Sequence, residues 1–199
     1  ALGLPDTVDP LTFNPFDANA DQEAALVVEK ISQQIVTTIK TLGAAAEGAG
    51  LDAETAASLA TQALVNTVKK AATSSEETVV NFANEADIAD ATANFLVVVE
   101  QSSATVDNES LAAVADIVQT SIKNVNETIS NVTSLGNNES QATFAITNTL
   151  KDQIKQAVED TAIGNDVEVD FVNIDNLTQA IEQKVTEIIE NEPPSSDSP

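Results

Sequence analysis

The side chains in this chain best suited to chemistry are carboxylates and amides near its amino end. Four of them stand at alternate positions: Asp17, Asn19, Asp21 and Glu23. Alternating oxygen ligands open the calcium loop of an EF-hand, so the segment is a weak calcium candidate. The later loop positions depart from that pattern, because Gln22 replaces the glycine and Val28 the bidentate glutamate. Those departures favour the alternative, a helix start whose acids lie near the positive end of the helix dipole.

The residue types that are missing exclude most catalytic and metal sites. The chain has no Cys, His, Trp, Tyr, Met or Arg. Zinc, iron and copper sites normally need His or Cys, as do the Ser-His-Asp and Cys-His nucleophiles. A carboxylate pair could still act as acid and base, but only in a deep pocket around at least two carboxyl groups. We therefore expect no enzyme, no catalytic residues and no cofactor other than calcium.

Threonine-rich helix faces occur around Thr37, Thr38 and Thr41. Such a face could bind ice or another ordered surface. Threonine is also ordinary on a solvated helix face, and that is the interpretation we adopt from the sequence.

Asn-x-Ser/Thr sequons are the remaining motif, at Asn108, Asn126, Asn131, Asn138 and Asn176. A chain this rich in Asn, Ser and Thr contains several by chance. We expect them to be unmodified unless the source is eukaryotic.

The charge of the chain restricts its partners. Its 32 acidic residues outnumber eight lysines, for a net charge of −24. Such a surface repels nucleic acid and anionic membranes, while salt or divalent cations relieve its self-repulsion. No apolar run approaches the roughly 20 residues of a membrane span. The partners we expect are other protein domains or copies of the chain itself, with divalent cations as an open option.

Apolar residues recur every three or four positions, which predicts helices. In the first half, the stripes that we expect to face inward are Ala24, Val28, Ile31, Ile35, Ile39 and Leu42; Ala56, Ala60, Leu64, Val68 and Ala71; and Ile88, Ala91, Phe95 and Val98 or Val99. In the second half they are Leu111, Val114, Val118, Ile122, Val125, Ile129 and Val132; Ile146, Leu150, Ile154 and Val158; and Leu177, Ile181, Val185 and Ile188. Asp21, Asp52 and Asp107 suit helix starts, and Gly43 and Gly136 suit helix ends.

The two halves of the sequence are alike. Thr41-Leu-Gly43 corresponds to Ser134-Leu-Gly136, and the extended piece around Phe82 corresponds to the one around Phe171. The period predicts a duplicated three-helix unit, although chance similarity between two Ala/Val/Thr-rich stretches is the alternative. The two extended pieces could then pair as a small ribbon. This predicts burial of four side chains: Val80, Phe82, Val169 and Phe171.

The fold class that follows is an all-α bundle of about six helices, built from two similar three-helix halves with a short extended piece in each. Residues 1–20 form an extended lead-in, in which Leu11, Phe13 and Phe16 could pack onto the helices. Residues 21–106 and 107–190 form the two helical halves. Residues 191–199 form a Pro/Ser/acidic linker, which suggests a module cut from a longer protein.

The opening phrase of the chain carries a resemblance to a known class of proteins. Ala1-Leu-Gly-Leu-Pro5, Asp9-Pro-Leu-Thr-Phe-Asn-Pro15 and the Ala-rich helix after them resemble a segment of very large secreted bacterial surface proteins of the calcium-binding, hemolysin-type (RTX) or adhesin-like kind. The Gly-Asp nonapeptide repeats of such proteins do not occur in this chain. The resemblance covers the first fifth of the chain and carries no site residues. It implies a secreted or cell-surface setting and a spacer, adhesion or assembly role.

The function expected from the sequence is a non-catalytic structural or adhesive module that acts as an acidic helical spacer or interaction domain. Two alternatives remain open. One is a calcium-responsive binding module, and the other is a self-assembling filament or surface-layer subunit in which the apolar lead-in docks into a neighbour.

Overall fold

Aspartate and asparagine begin most of the helices in the computed structural model. The side chains of Asp21, Asp52, Asn84, Asp107 and Asn137 each accept a hydrogen bond from a backbone N–H of the first helical turn. Such caps satisfy donors that have no partner within the helix. The helix starts predicted from the sequence at Asp21, Asp52 and Asp107 are confirmed.

The structure describes residues 2–9, 11–17, 19–74, 78–102 and 104–191, so the predicted linker beyond Asn191 lies outside the described residues. Within those ranges the chain forms α-helices and one 3-10 turn at Asp170–Val172, and no β-strand. The helices are Gln22–Gly48 (α1), Ala53–Ala72 (α2), Glu85–Gln101 (α3), Asn108–Ala113 (α4), Ala115–Ser130 (α5), Asn138–Ala162 (α6) and Ile174–Asn191 (α7). The prediction of an all-α bundle is confirmed.

The packing order follows from α1, the longest helix. It packs against α2, α6 and α5, while α3 packs on α2 and α7 packs on α6. Nearly all the apolar stripes predicted for α3, α5 and α6 are buried in a single core cluster. The stripes of α2 and α7 are buried in their first turns and half-buried farther along.

The apolar stripe predicted for α1 is only partly correct, although Ile35 and Ile39 pack against the core from its edge. Of its six members only Ala24 and Leu42 are buried, and the four larger residues between them are half-buried. The face that α1 turns into the core carries Thr37, Thr38 and Thr41, all fully buried. The interpretation of these threonines as solvated is therefore wrong as well.

The predicted helix end at Gly43 is also wrong, because α1 continues to Gly48. Gly43 lies inside the helix, where α2 passes close by at Ala57. The chain turns instead at Gly50, whose φ of 104° lies in the left-handed region that favours glycine.

The long fourth helix predicted from its heptad-like seam is divided at Val114. There φ is −97° and ψ is 0°, outside the helical range, so α4 and α5 are separate elements. Hydrogen bonds continue across the bend, from Val114 N–H to the Ser110 carbonyl and from Val118 N–H to the Val114 carbonyl. The bend separates α4, which contacts α3 and α6, from α5, which also contacts α1.

The two extended pieces lie against α5 and do not pair as a ribbon. Asn126 Nδ2 donates to the Phe82 carbonyl at 2.7 Å, and Asn124 Nδ2 donates to the Phe171 carbonyl at 2.9 Å. Residues two apart on a helix point in roughly opposite directions, so α5 stands between the two segments. The predicted burial of Val80, Phe82, Val169 and Phe171 is confirmed.

The resemblance between the halves holds locally and fails elsewhere. Asn84 N–H donates to the Asn81 carbonyl at 2.8 Å, and Asn173 N–H donates in the same way to the Asp170 carbonyl at 3.0 Å. By contrast, Gly43 lies within a helix whereas Gly136 lies in a turn with a φ of 81°. Duplication of a whole three-helix unit therefore stays a prediction.

None of the helices in the described part of the chain is both long enough and apolar enough to cross a membrane.

Candidate functional site

A buried seam of hydroxyl and amide groups joins α1 to α5 and α6. Thr37 Oγ1 and Thr147 Oγ1 are 2.7 Å apart and share a hydrogen bond between α1 and α6. Thr38 Oγ1 donates to the Gln34 carbonyl at 2.8 Å, and Thr41 Oγ1 donates to the Thr37 carbonyl at 2.7 Å. Bonding back to the helix carbonyl lets a threonine be buried with its donor satisfied.

Asn126 and Gln34 carry the seam across to α5. Asn126 is fully buried, and its Nδ2 donates both to Thr38 Oγ1 at 3.2 Å and to the Phe82 carbonyl. Gln34 Nε2 donates in return to the Asn126 carbonyl at 3.2 Å and to Ser130 Oγ at 2.7 Å. The sequon asparagine at position 126 is thus a structural residue that folding makes inaccessible.

The polar seam determines where the aliphatic face of α1 goes. Because the hydroxyl face points into the core, Ile31, Ile35 and Ile39 lie at the edge of the bundle. They line an apolar groove between α1, α2 and the segment around Phe82. The groove consists of two adjoining depressions of about 300 and 260 Å³ that share Leu2 and Phe82 in their walls. We call this groove the α1 cleft.

The wall of the α1 cleft opposite α1 is formed by α2. Leu64, Val65 and Val68 line it, and Val65 is exposed to solvent, as is Val36 on the outer face of α1. A groove lined by aliphatic side chains is the kind of surface on which an apolar segment of a partner gains binding free energy by leaving water.

The amino-terminal segment of the same chain occupies part of the cleft. Leu2 packs against the core there, beside Ile35. Farther along, Val8 is buried, but Leu11 is 92% exposed and Phe16 is 71% exposed. The expectation that Leu11 and Phe16 pack onto the helices is therefore wrong. Three turns, held by local hydrogen bonds from Val8 to Pro5, from Phe13 to Asp9 and from Asp17 to Asn14, replace the extended conformation expected there.

Lysines line both ends of the cleft. Lys69 lies at the α2 end, and Lys30 lies at the other, where its Nζ donates to the Ser130 carbonyl at 2.8 Å. Lys30 and Lys69 are the charged side chains among the residues that line the two depressions, in a chain whose net charge is −24.

The calcium candidate residues are used by the backbone around them. Asp17 Oδ1 accepts from the Asn19 N–H at 2.8 Å, closing a turn. Asp21 Oδ1 accepts from the N–H groups of Glu23 and Ala24 at 2.9 and 3.0 Å, as the cap of α1. Among the residues that the structure describes, no three or more carboxylates gather in a metal-binding cluster. Calcium binding at this segment stays a prediction.

A second depression, of about 460 Å³, lies between α5, α6 and α7 and is lined by two glutamates, Glu139 and Glu182. Both side chains are exposed. A carboxylic acid that acts as a proton donor near neutral pH is normally buried against apolar groups. The depression therefore has two carboxyl groups but not the enclosure that acid–base catalysis requires.

Sequence reasoning missed the cleft because it assigned the aliphatic face of α1 to the core. A usable signal was nevertheless present. On α1, the run Ile31, Ile35 and Ile39 alternates with a second face of Gln34, Thr37, Thr38 and Thr41, so two different faces could be buried.

Comparison of the chain with protein-family models, with curated proteins and with solved structures finds no match.

Proposed function

We propose that this chain is a non-catalytic structural or adhesive module of a large secreted or cell-surface protein, in which it acts as an acidic helical spacer or interaction domain. The observation that carries the proposal is the way α5 ties the block together. Asn126 and Asn124 hold the two irregular segments from opposite sides of α5. The buried seam of hydroxyl and amide groups joins α5 to α1.

A buried amide or hydroxyl donor is costly when it is unpaired, so the paired donors Asn126 Nδ2, Gln34 Nε2 and Thr38 Oγ1 favour this arrangement of the helices over others. Asn126 Oδ1 is buried without a hydrogen-bond partner and lowers the net contribution of the seam. A block ordered in this way transmits position and force between neighbouring domains without needing a ligand. The carboxylates on its outside are hydrated and oppose nonspecific aggregation. The resemblance of residues 1–42 to large secreted surface proteins fits the same setting.

A force measurement tests the spacer role. The chain is placed between reference domains in a tandem protein and pulled in an atomic force microscope. A spacer that bears load is expected to unfold in one step, with all its helices releasing together at roughly 3.5 Å of contour length per residue. Asn126→Ala is expected to lower the unfolding force, and Asn131→Ala, a change at the exposed residue directly after α5, is expected to leave it unchanged. Gradual extension without a force peak would overturn the spacer role.

A further inference from the structure

We infer that the α1 cleft of one copy of the chain binds the exposed apolar side chains Leu11 and Phe16 in the amino-terminal segment of a second copy. This inference rests on the proposed role as an interaction domain and identifies the partner. Three observations carry it, concerning the occupancy of the cleft, the free apolar groups and the charges.

The first observation is that the cleft already holds a residue of this segment. Leu2 packs against the core and lines both depressions, and volumes of about 300 and 260 Å³ remain open beside it. The cleft thus accepts an aliphatic side chain of the amino-terminal segment, and one copy of the segment does not fill it.

The second observation concerns the rest of the segment. Leu11 and Phe16 are, with Ile163, the most exposed large apolar side chains in the described ranges. Among the described residues, the hydrogen bonds of residues 2–9 and 11–17 are local turns within the segment or bonds to Asn19 and Ala20. Opening the turns between residues 9 and 20 would let Leu11, ten residues before Asp21, reach roughly 35 Å from the start of α1 at 3.3–3.6 Å per residue, enough to contact a neighbouring molecule.

The third observation is charge complementarity. The segment carries Asp6, Asp9 and Asp17 and no lysine, whereas Lys30 and Lys69 line the ends of the cleft. Between two molecules with net charges of −24, the cleft is a place where an acidic segment meets positive side chains. Each copy offers both a segment and a cleft, so the contact either closes into a dimer or propagates into a chain of copies.

Sedimentation velocity over a range of concentrations tests the inference, with interference optics because the chain has no Trp or Tyr. The wild type is expected to associate as its concentration rises. Leu11→Ser with Phe16→Ser, and separately Val65→Glu in the cleft wall, are each expected to raise the dissociation constant at least about tenfold. Ile163→Ser removes an equally exposed apolar residue away from the cleft and is expected to change nothing. All replaced residues are exposed, and circular dichroism verifies that each variant is folded.

Mixing the two weakened variants decides which surfaces meet. The Val65→Glu protein keeps an intact segment, and the Leu11→Ser/Phe16→Ser protein keeps an intact cleft. Their equimolar mixture is expected to form a one-to-one complex, identified by native mass spectrometry. A wild type that stays monomeric at all concentrations, a mixture that fails to associate, or an Ile163→Ser protein weakened as much as the others would each overturn the inference. None of these outcomes affects the force-bearing role, which the pulling experiment tests separately.

Discussion

Asn126 connects three parts of the fold through one side-chain amide. It lies on α5, and it donates to Thr38 on α1 and to the Phe82 carbonyl in the segment before α3. We predict that Asn126→Ala lowers the free energy of unfolding by about 3 kcal/mol, because it leaves the buried Phe82 carbonyl without a donor and opens a small cavity. Urea unfolding followed by circular dichroism measures this. Asn131→Ala, at the exposed residue directly after α5, is the control and should change the free energy of unfolding by less than about 0.5 kcal/mol. Equal effects of the two variants would contradict the role given to the seam.

Two glycines of α1 should respond to alanine with opposite signs. A Cβ on Gly48 would lie 2.5 Å from the Lys155 carbonyl oxygen and 2.8 Å from the Val158 Cβ, so α6 would have to move. A Cβ on Gly43 would meet nothing closer than 3.7 Å. We predict that Gly48→Ala destabilises the fold by about 1–2 kcal/mol, whereas Gly43→Ala stabilises it by up to about 1 kcal/mol through helix propensity. Melting temperatures measure both, and a stabilising Gly48→Ala would show that α1 and α6 are farther apart than described.

Single residues mark the limit of what the sequence predicts. The buried apolar positions of α5, such as Val118, Ile122 and Val125, follow from aliphatic spacing. The burial of Ser121, Asn124 and Asn126 on the same helix does not. On α1 two faces compete, and the polar one wins because partners for it exist elsewhere in the chain, such as Thr147 and Asn126. Periodicity within one helix contains no information about those partners.

At the scale of elements, the caps of α2 and α4 are acid-sensitive. The Thr55 N–H, and then its hydroxyl, lower the pKa of Asp52, and the Ser110 hydroxyl, and then its N–H, lower the pKa of Asp107. A carboxyl group whose pKa is depressed on folding stabilises the fold above its unfolded pKa of about 3.9 and loses that contribution as pH falls through the lower folded pKa.

We therefore predict that the double variant Asp52→Asn/Asp107→Asn loses less stability than the wild type between about pH 5 and pH 2, because asparagine keeps the cap without a titrating group. Denaturant unfolding at several pH values gives the difference between the two proteins. The difference in stability between the two proteins isolates the contribution of the two caps. The repulsion among the other carboxylates changes over the same pH range in both proteins and therefore cancels. Parallel curves would show that the caps contribute nothing to acid sensitivity.

The elements themselves were largely predictable. Aspartates before apolar stripes located the starts of α1, α2 and α4. The division of the helix at Val114 and the continuation of α1 beyond Gly43 could not be predicted, because both depend on which other helices pack against these positions. The two extended pieces were correctly predicted as buried, but their partner is α5, and strand pairing could not be distinguished from helix contact by alternation alone.

At the scale of the whole molecule, charge is the main variable. With a net charge of −24, the folded state is destabilised by self-repulsion, which salt screens within a Debye length of roughly 8 Å at physiological ionic strength. We predict that NaCl raises the melting temperature and that CaCl₂ at matched ionic strength raises it by a similar amount, because the oxygens of Asp17 and Asp21 already accept backbone N–H groups. Calorimetry in the two salts measures this. A larger rise with Ca²⁺ that Asp17→Asn abolishes would establish the calcium site and the calcium-responsive alternative.

The central claim is that residues 22–101 and residues 108–191 are held together as one unit through α5, and both proposed roles depend on it. Native-state amide hydrogen exchange tests it most directly, because it reports the free energy of opening for each helix. We predict that the protected amides of α1, α5 and α6 exchange with one common free energy, equal to that of global unfolding. If residues 22–101 and 108–191 instead opened with separate free energies, the halves would be independent units and this account of the molecule would be contradicted.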